Sequence, residues 1–342
     1  MKGMVMAILL CLLSVFTAAC GKDELKKSDP PVDDTSGFAK GADISWISEM
    51  EQQGILFYDK EGLQIECMTL LKGLGMNAIR LRVWVNPASG WNNKTDVLVK
   101  AKQAKDLGMR IMIDFHYSDT WADPGHQTKP AAWADLSFEE LRGALSLHTK
   151  EILTALKNWD IYPEWVQVGN ETGNGMLWED GKAATNMSQY ASLHNAGYFA
   201  VKEIFPDSKV IVHLHAGQDN NLYRWLFDGL KNNDAKWDVI GMSLYPVTNE
   251  WLDYNDRCIN NVNDMISRYG KEVMICEVGM PWDAALTAKV WLTDLITRAK
   301  AINKCLGVFY WEPQAHNGWK GYTLGAFDNS GKPTVALDAF ME

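Results

Sequence analysis

From residue 38 onward the chain alternates between two rhythms of apolar and polar positions. Short apolar runs rich in β-branched residues recur at FAKGADIS (38–45), AIRLRVW (78–84), MRIMIDFH (109–116), WVQVGNE (165–171), KVIVHLH (209–215), DVIGMSLY (238–245), EVMICEVG (272–279) and GVFYWEP (307–313). Between them, segments such as DVLVKAKQAKDLG (96–108) and QYASLHNAGYFAVKEIF (189–205) space their apolar residues as amphipathic helices do, and they close on Gly or just before Pro. Runs that are apolar almost throughout need burial on both faces. Eight of them, each separated from the next by a helix, predict a (β/α)8 barrel of the TIM type, a single catalytic domain over residues 38–342. An open doubly wound sheet is the alternative, and the lack of a G-x-G-x-x-G after the first run weighs against it.

Functional groups of such barrels lie at the C-terminal ends of the strands. The residues that close the runs are Asp43 and Ser45, Arg82 and Trp84, Asp114 and His116, Asn170 and Glu171, His213 and His215, Tyr245, Glu277, and Trp311 with Glu312. Nearly all can hydrogen-bond, and solubility alone does not explain why eight such ends should converge on one mouth.

Glu171 and Glu277 stand 106 positions apart, or three βα units, so their strands face each other across the barrel. That arrangement can hold two carboxyl groups about 5 Å apart, the separation used for glycosidic cleavage with retention. An ion pair at the mouth is the alternative reading of each carboxylate, and the catalytic reading outweighs it. A nucleophile must stay ionised, and Arg82 and the hydroxyl of Tyr245 are placed to help; Arg80, on the same strand face, could share or exchange the arginine's role. Asn170 offers an amide for a sugar hydroxyl. His116 reads either as a groove residue or as a core histidine, and Trp121 as a stacking platform or a buried anchor. His213 and His215 form a His-x-His without a third metal ligand at suitable spacing, so zinc is not expected.

Composition narrows the partners. Lys and Arg total 33 against 43 Asp and Glu, a net charge of −10, and no basic run could follow a phosphate backbone. Nucleic acid is therefore not expected. Fifteen Trp and eleven Tyr are many for this length; at least half fill the core, and the rest suit a groove, because flat aromatic faces make platforms for apolar ring surfaces. A phosphate-binding barrel is disfavoured because Trp282 and Trp319, rather than a cradle of glycines, follow the last two runs.

The N-terminus is a separate matter. MKGMVMAILLCLLSVFTAAC pairs Lys2 with an apolar stretch too short to span a bilayer, the pattern of an export signal (1–19). Thr17-Ala18-Ala19-Cys20 resembles a bacterial lipobox, which makes Cys20 the expected lipidation site, and the charged, Pro-containing residues 20–37 read as a tether. The acidic residues after Cys20 resemble those of Bacteroidetes surface lipoproteins, which implies an outer-membrane anchor at the cell surface. Cys67, Cys258, Cys276 and Cys305 lack a Cys-x-x-Cys; Cys276 and Cys305 read as small buried thiols, although export would permit a bridge.

Gly169-Asn170-Glu171 and Glu277 resemble the paired motifs of clan A retaining glycoside hydrolases. KGADISW (40–46), NAIRLRVWVNP (77–87), DFHYSDTWADPGHQTKPAAW (114–133) and YWEP (310–313) narrow the resemblance to glycoside hydrolase family 53, the endo-β-1,4-galactanases that cut type I arabinogalactan of pectin. The resemblance implies Glu171 as acid/base and Glu277 as nucleophile. It implies Asp43, Arg82, His116, Trp121, Asn170, His213, Tyr245 and Trp311 as substrate-groove residues, no cofactor, and a chain acting as a monomer. Other clan A activities on β-mannan or cellulose, or a glycan-binding protein without catalysis, are the alternatives. Bacillus members carry a calcium site in a longer last loop; here that loop is short, and Asp328-Asn329-Ser330-Gly331 reads as a turn.

Overall fold

The computed structural model describes residues 37–341. The expected signal (1–19), Cys20 and all but the last residue of the tether lie outside the described residues.

Eight strands, β1 (Ala39–Asp43), β2 (Ala78–Val83), β3 (Arg110–Phe115), β4 (Trp165–Val168), β5 (Lys209–Leu214), β6 (Val239–Leu244), β7 (Glu272–Val278) and β8 (Cys305–Trp311), pair in parallel in chain order. Asp43 of β1 pairs with Trp311 of β8, which closes the barrel and rules out the open doubly wound sheet. Two of the surrounding helices, α3 (Lys94–Asp106) and α5 (Ala183–Ile204), carry the amphipathic segments read from the sequence. Two short helices, α1 (Ile47–Gln52) and α2 (Cys67–Gly73), precede β2.

Each strand spends its two faces differently. Outward residues such as Ile79, Leu81, Val83, Ile113 and Val168 pack against the helices in the main core. Inward residues at the N-terminal end of the barrel form a second apolar layer of Ala39, Ala78, Met112, Trp165, Ile211, Val239, Met274, Cys276 and Phe309. Burial of Trp165 or Phe309, at roughly 25 cal/mol per Å² over 150–250 Å², contributes about 4–6 kcal/mol each as an upper bound. This plug keeps water out from below. Gly41 makes room for it, since a Cβ there would lie 2.2 Å from the Phe309 ring.

One to four positions further along the same inward faces, the residues become polar: Asp43, Arg80, Asp114, Gln167, His213, Ser243 and Glu277. The barrel thus has an apolar floor and an ionic storey above it, directly below the mouth. The pairing of β6 with β7 steps from Met242↔Ile275 to Ser243↔Glu277, a bulge that leaves Cys276 as the extra residue. Cys276 faces the apolar layer and Glu277, next in sequence, meets Arg80 inside the barrel. Strict alternation forbids two consecutive inward residues, and the bulge permits them.

Cys67, Cys258, Cys276 and Cys305 are all buried free thiols. Asp328 Oδ1 accepts from Ser330 N at 2.8 Å, Ser330 Oγ at 2.6 Å and Lys332 N at 3.1 Å, so this carboxylate closes a turn.

Candidate active site

Arg80 is the hub of the ionic storey. Its Nη1 lies 2.8 Å from both Asp43 Oδ2 and Glu277 Oε1, and its Nη2 lies 2.8 Å from Asp114 Oδ2 and from Asn170 Oδ1. Gln167 Oε1 accepts from Nε and Nη2 at 3.3 and 3.2 Å, so every nitrogen of the guanidinium is engaged. A planar fork of five donors suits this many acceptors, and a lysine would not reach them all. One cation faces three carboxylates here, an excess of negative charge.

Glu277 takes a second donor, the Tyr245 hydroxyl, at 2.9 Å on Oε2. Burial lifts its pKa to about 7 against the pull of Arg80, with Asp114 and Asp43 adding to the rise. Glu171 sits opposite, beyond the end of β4. Gly169 (φ 87°) turns the chain, and Glu171 itself holds a left-handed φ of 47°, an uncommon conformation for a residue with a side chain. Ser243 Oγ donates to Glu171 Oε1 at 2.7 Å. Burial, followed by the charge of Glu277, raises the Glu171 pKa to about 8. Glu277 has the guanidinium and loses its proton first, which leaves Glu171 as the protonated member near neutral pH. Two carboxyls with different neighbours are thus set for different work.

The two glutamates open onto a cleft of about 450 Å³ lined by Trp46, His116, Trp121, Asn170, Tyr245, Trp311 and Tyr322, with Asp123 and Lys320 at its rim. Trp46 is the centre of the aromatic wall, its ring 5.1 Å from Trp311, 5.8 Å from Trp121 and 5.7 Å from Tyr322, all edge-on. His116 Nδ1 accepts from Ala122 N (3.1 Å) and Trp84 Nε1 (3.4 Å), so its Nε2 carries the proton and donates to Asp114 Oδ2 at 3.0 Å. Burial lowers its pKa and keeps it neutral. Asn170 Nδ2 donates to Ala122 O at 2.8 Å, fixing the amide beside Glu171. A larger cavity, about 620 Å³, lies at the opposite end of the barrel, near the turns that precede β3, β4 and β5. Its Glu164 is held by Arg110, and it lies away from the strand ends where this fold places its chemistry.

Three residues expected in the groove lie beneath it instead. Arg82 does not pair with Glu277; that partner is Arg80. Residues two apart on one strand share a face, but each step moves the side chain up the barrel, and Arg82 stands one layer too high. It meets Glu312 at 3.4 Å and lies under aromatic faces, 4.2 Å from the Trp121 centroid and 5.0 Å from that of Trp84. Asp43 is fully buried, bound to Arg80 and to Ser45 Oγ at 2.6 Å. His213 is also fully buried, between Gln167 Nε2 (2.9 Å) and Ser243 Oγ (2.8 Å), and faces no cleft.

Sequence reasoning did not single out Gln167, Ser243 or Trp46 as site residues, and it noted Glu312 only as a strand-end group. Glu312 is fully buried and accepts from Trp46 N at 3.2 Å through both oxygens and from Gln314 Nε2 at 2.6 Å. Burial and the charge of Asp43 raise its pKa to about 8. Trp46, the aromatic closing the KGADISW stretch, and Glu312, within YWEP, gave signals that could have been used; Gln167 and Ser243 gave none.

Comparisons with known proteins fit this geometry. An arabinogalactan endo-β-1,4-galactanase of Cellvibrio japonicus is 32% identical over 311 residues, 82% of each chain. A solved fungal β-1,4-galactanase superposes with a TM-score of 0.84 at 28% identity, covering 90% of this chain and all of the other. The family 53 catalytic domain of Ignisphaera aggregans gives 0.80 at 31% identity, over 89% and 95% of the two chains. The family model described as Glycosyl hydrolase family 53 matches residues 39–340, and the chain belongs to that family.

Proposed function

We propose that this protein is a retaining endo-β-1,4-galactanase that cuts the galactan backbone of type I arabinogalactan. The observation that carries the reading is the unequal pair: Glu277 held by Arg80 and Tyr245, and Glu171 raised to about 8, facing one aromatic cleft. Galactanases named among its relatives support the choice of sugar.

Glu277 attacks the anomeric carbon as the glycosidic C–O bond breaks, and Glu171 gives its proton to the leaving oxygen. Glu171, now a carboxylate, takes a proton from water; that water attacks the same carbon and frees Glu277. Two inversions give retention. Arg80 stabilises the carboxylate before attack and after release, and Trp311 and Trp46 offer apolar faces to the C–H side of the sugar. The test is a panel of β-1,4-galactan, β-mannan and β-glucan. Oligomers from galactan alone are expected, and release from mannan or glucan alone would refute the substrate.

Export as a lipoprotein is part of the proposal. The lipobox-like Thr17-Ala18-Ala19-Cys20 and the acidic stretch beyond it support a thioether-linked lipid on Cys20 and attachment to the outer membrane, facing outward. Radiolabelled palmitate should enter the wild-type chain and not Cys20→Ala, and surface proteolysis of intact cells should remove the enzyme.

A further inference from the structure

Ser243 has no part in the scheme above, yet it is the residue that touches the acid. The direction of its hydrogen bonds follows from its neighbours. Asn170 Oδ1 is an oxygen because Arg80 donates to it, and Gln167 Oε1 is one for the same reason, so Gln167 Nε2 is a donor. That amide gives one hydrogen to Asp114 Oδ1 at 2.6 Å and directs the other at His213 Nδ1, 2.9 Å away, and the backbone N–H of Glu171 points at the same nitrogen from 3.4 Å. Asn170 Oδ1, 3.0 Å from His213 Nδ1, accepts from Arg80 Nη2 at 2.8 Å. With two donors aimed at it, Nδ1 accepts, and the single proton of the neutral ring is on Nε2. Burial and the nearby Arg80 push the His213 pKa well down, so a second proton is not held.

His213 Nε2–H therefore donates to Ser243 Oγ at 2.8 Å, and Ser243 has only its own hydrogen left to give, to Glu171 Oε1 at 2.7 Å. We propose that Ser243, oriented by His213, is a positioning residue that keeps Glu171 Oε1 unprotonated and so confines the catalytic proton to Oε2. This rests on the reading of Glu171 as the acid/base. No proton travels along the chain of bonds. When Glu171 gives its Oε2 proton to the leaving oxygen, the Ser243 bond remains and stabilises the new carboxylate. The other charged groups acting on Glu171 are Glu277 from β7, Arg80 from β2 and Asp123 from the loop after β3.

The test follows the Glu171 carboxyl directly by 13C NMR in the intact protein labelled at glutamate, with Glu171→Gln identifying the resonance. In Ser243→Ala the ionised form loses a donor, and the titration should move up by roughly one pH unit. Ser243→Thr, which keeps the hydroxyl, should return it to the wild-type position. On β-1,4-galactan, kcat of Ser243→Ala should fall about tenfold with KM little changed. An unmoved titration in Ser243→Ala, or an equal shift in Ser243→Thr, overturns the proposal. Failure of the underlying reading shows separately: Glu171→Gln would then cleave galactan at the wild-type rate, or the wild type would not cleave it, whereas the titration requires no turnover.

Discussion

Arg80 Nη1 lies 2.8 Å from Glu277 Oε1 and, on its other side, 2.8 Å from Asp43 Oδ2. One guanidinium thus ties the Glu277 carboxylate to the barrel wall, with its remaining nitrogens spent on Asp114, Asn170 and Gln167. Arg80→Met would leave three buried carboxylates without a cation. The expected cost is about 3–5 kcal/mol in a urea melt at neutral pH. Arg80→Lys keeps the charge but not the fork, so it should fold and lose about a hundredfold in kcat. Wild-type kcat in Arg80→Lys would contradict the hub role.

The paired carboxyls predict a narrow bell in the pH profile of kcat/KM. Below about 7 Glu277 gains a proton and the nucleophile is lost; above about 8 Glu171 gives up its proton and the acid is lost. Glu277→Gln removes the charge that helps hold the Glu171 proton, so the titration of Glu171, read by carboxyl NMR, should move down. A Glu171 titration unchanged in that variant would contradict the coupling.

The same raised pKa has a consequence for stability. Folded Glu171 holds its proton more tightly than the unfolded chain does, so its favourable contribution is complete below the ordinary carboxyl range near 4.5 and is lost as pH rises through about 8. Glu171→Gln cannot ionise. Its Tm should match the wild type at pH 5 and exceed it at pH 9, and equal values at both pH values would contradict the shift.

Gly41 and Phe309 predict an effect on folding far from the chemistry. A methyl group at Gly41 would stand 2.2 Å from the Phe309 ring, and the layer around it is fully buried. Gly41→Ala should cost about 1–3 kcal/mol, and Gly41→Ala with Phe309→Leu should cost less than the sum of the single changes. Chemical denaturation of the four chains gives the coupling.

Glu312 holds the backbone N–H of Trp46, and Trp46 holds the aromatic wall together. Glu312→Ala should loosen the wall and raise KM for galactan about tenfold, with the alkaline limb of the pH profile left in place. A shifted limb with unchanged KM would place Glu312 in the chemistry instead.

The barrel was legible in the sequence because strands buried on both faces and amphipathic helices alternate eight times, and the strand ends located Glu171 and Glu277 in the mouth. The choice between Arg80 and Arg82 was not, because two residues on the same face differ only in height, which depends on the tilt and stagger of the strands. Ser243 sits in GMSLY as an ordinary small residue, and only the register beside Glu277 gives it a partner. The bulge at Cys276 carries no sequence mark either, and neither does the inward turn of Asp43 and His213, whose polar ends are consumed by bonds within the barrel. Residues 1–36, with Cys20, fall outside the described part of the chain.

Double displacement by Glu277 and Glu171 is tested most directly by following the anomeric protons of newly formed reducing ends by 1H NMR during the first minutes of β-1,4-galactan hydrolysis. Two inversions predict the β-anomer first, with the α-anomer growing in only as fast as free galactose oligomers mutarotate. The α-anomer appearing first would mean a single displacement by water and would contradict the assignment of Glu277 as nucleophile.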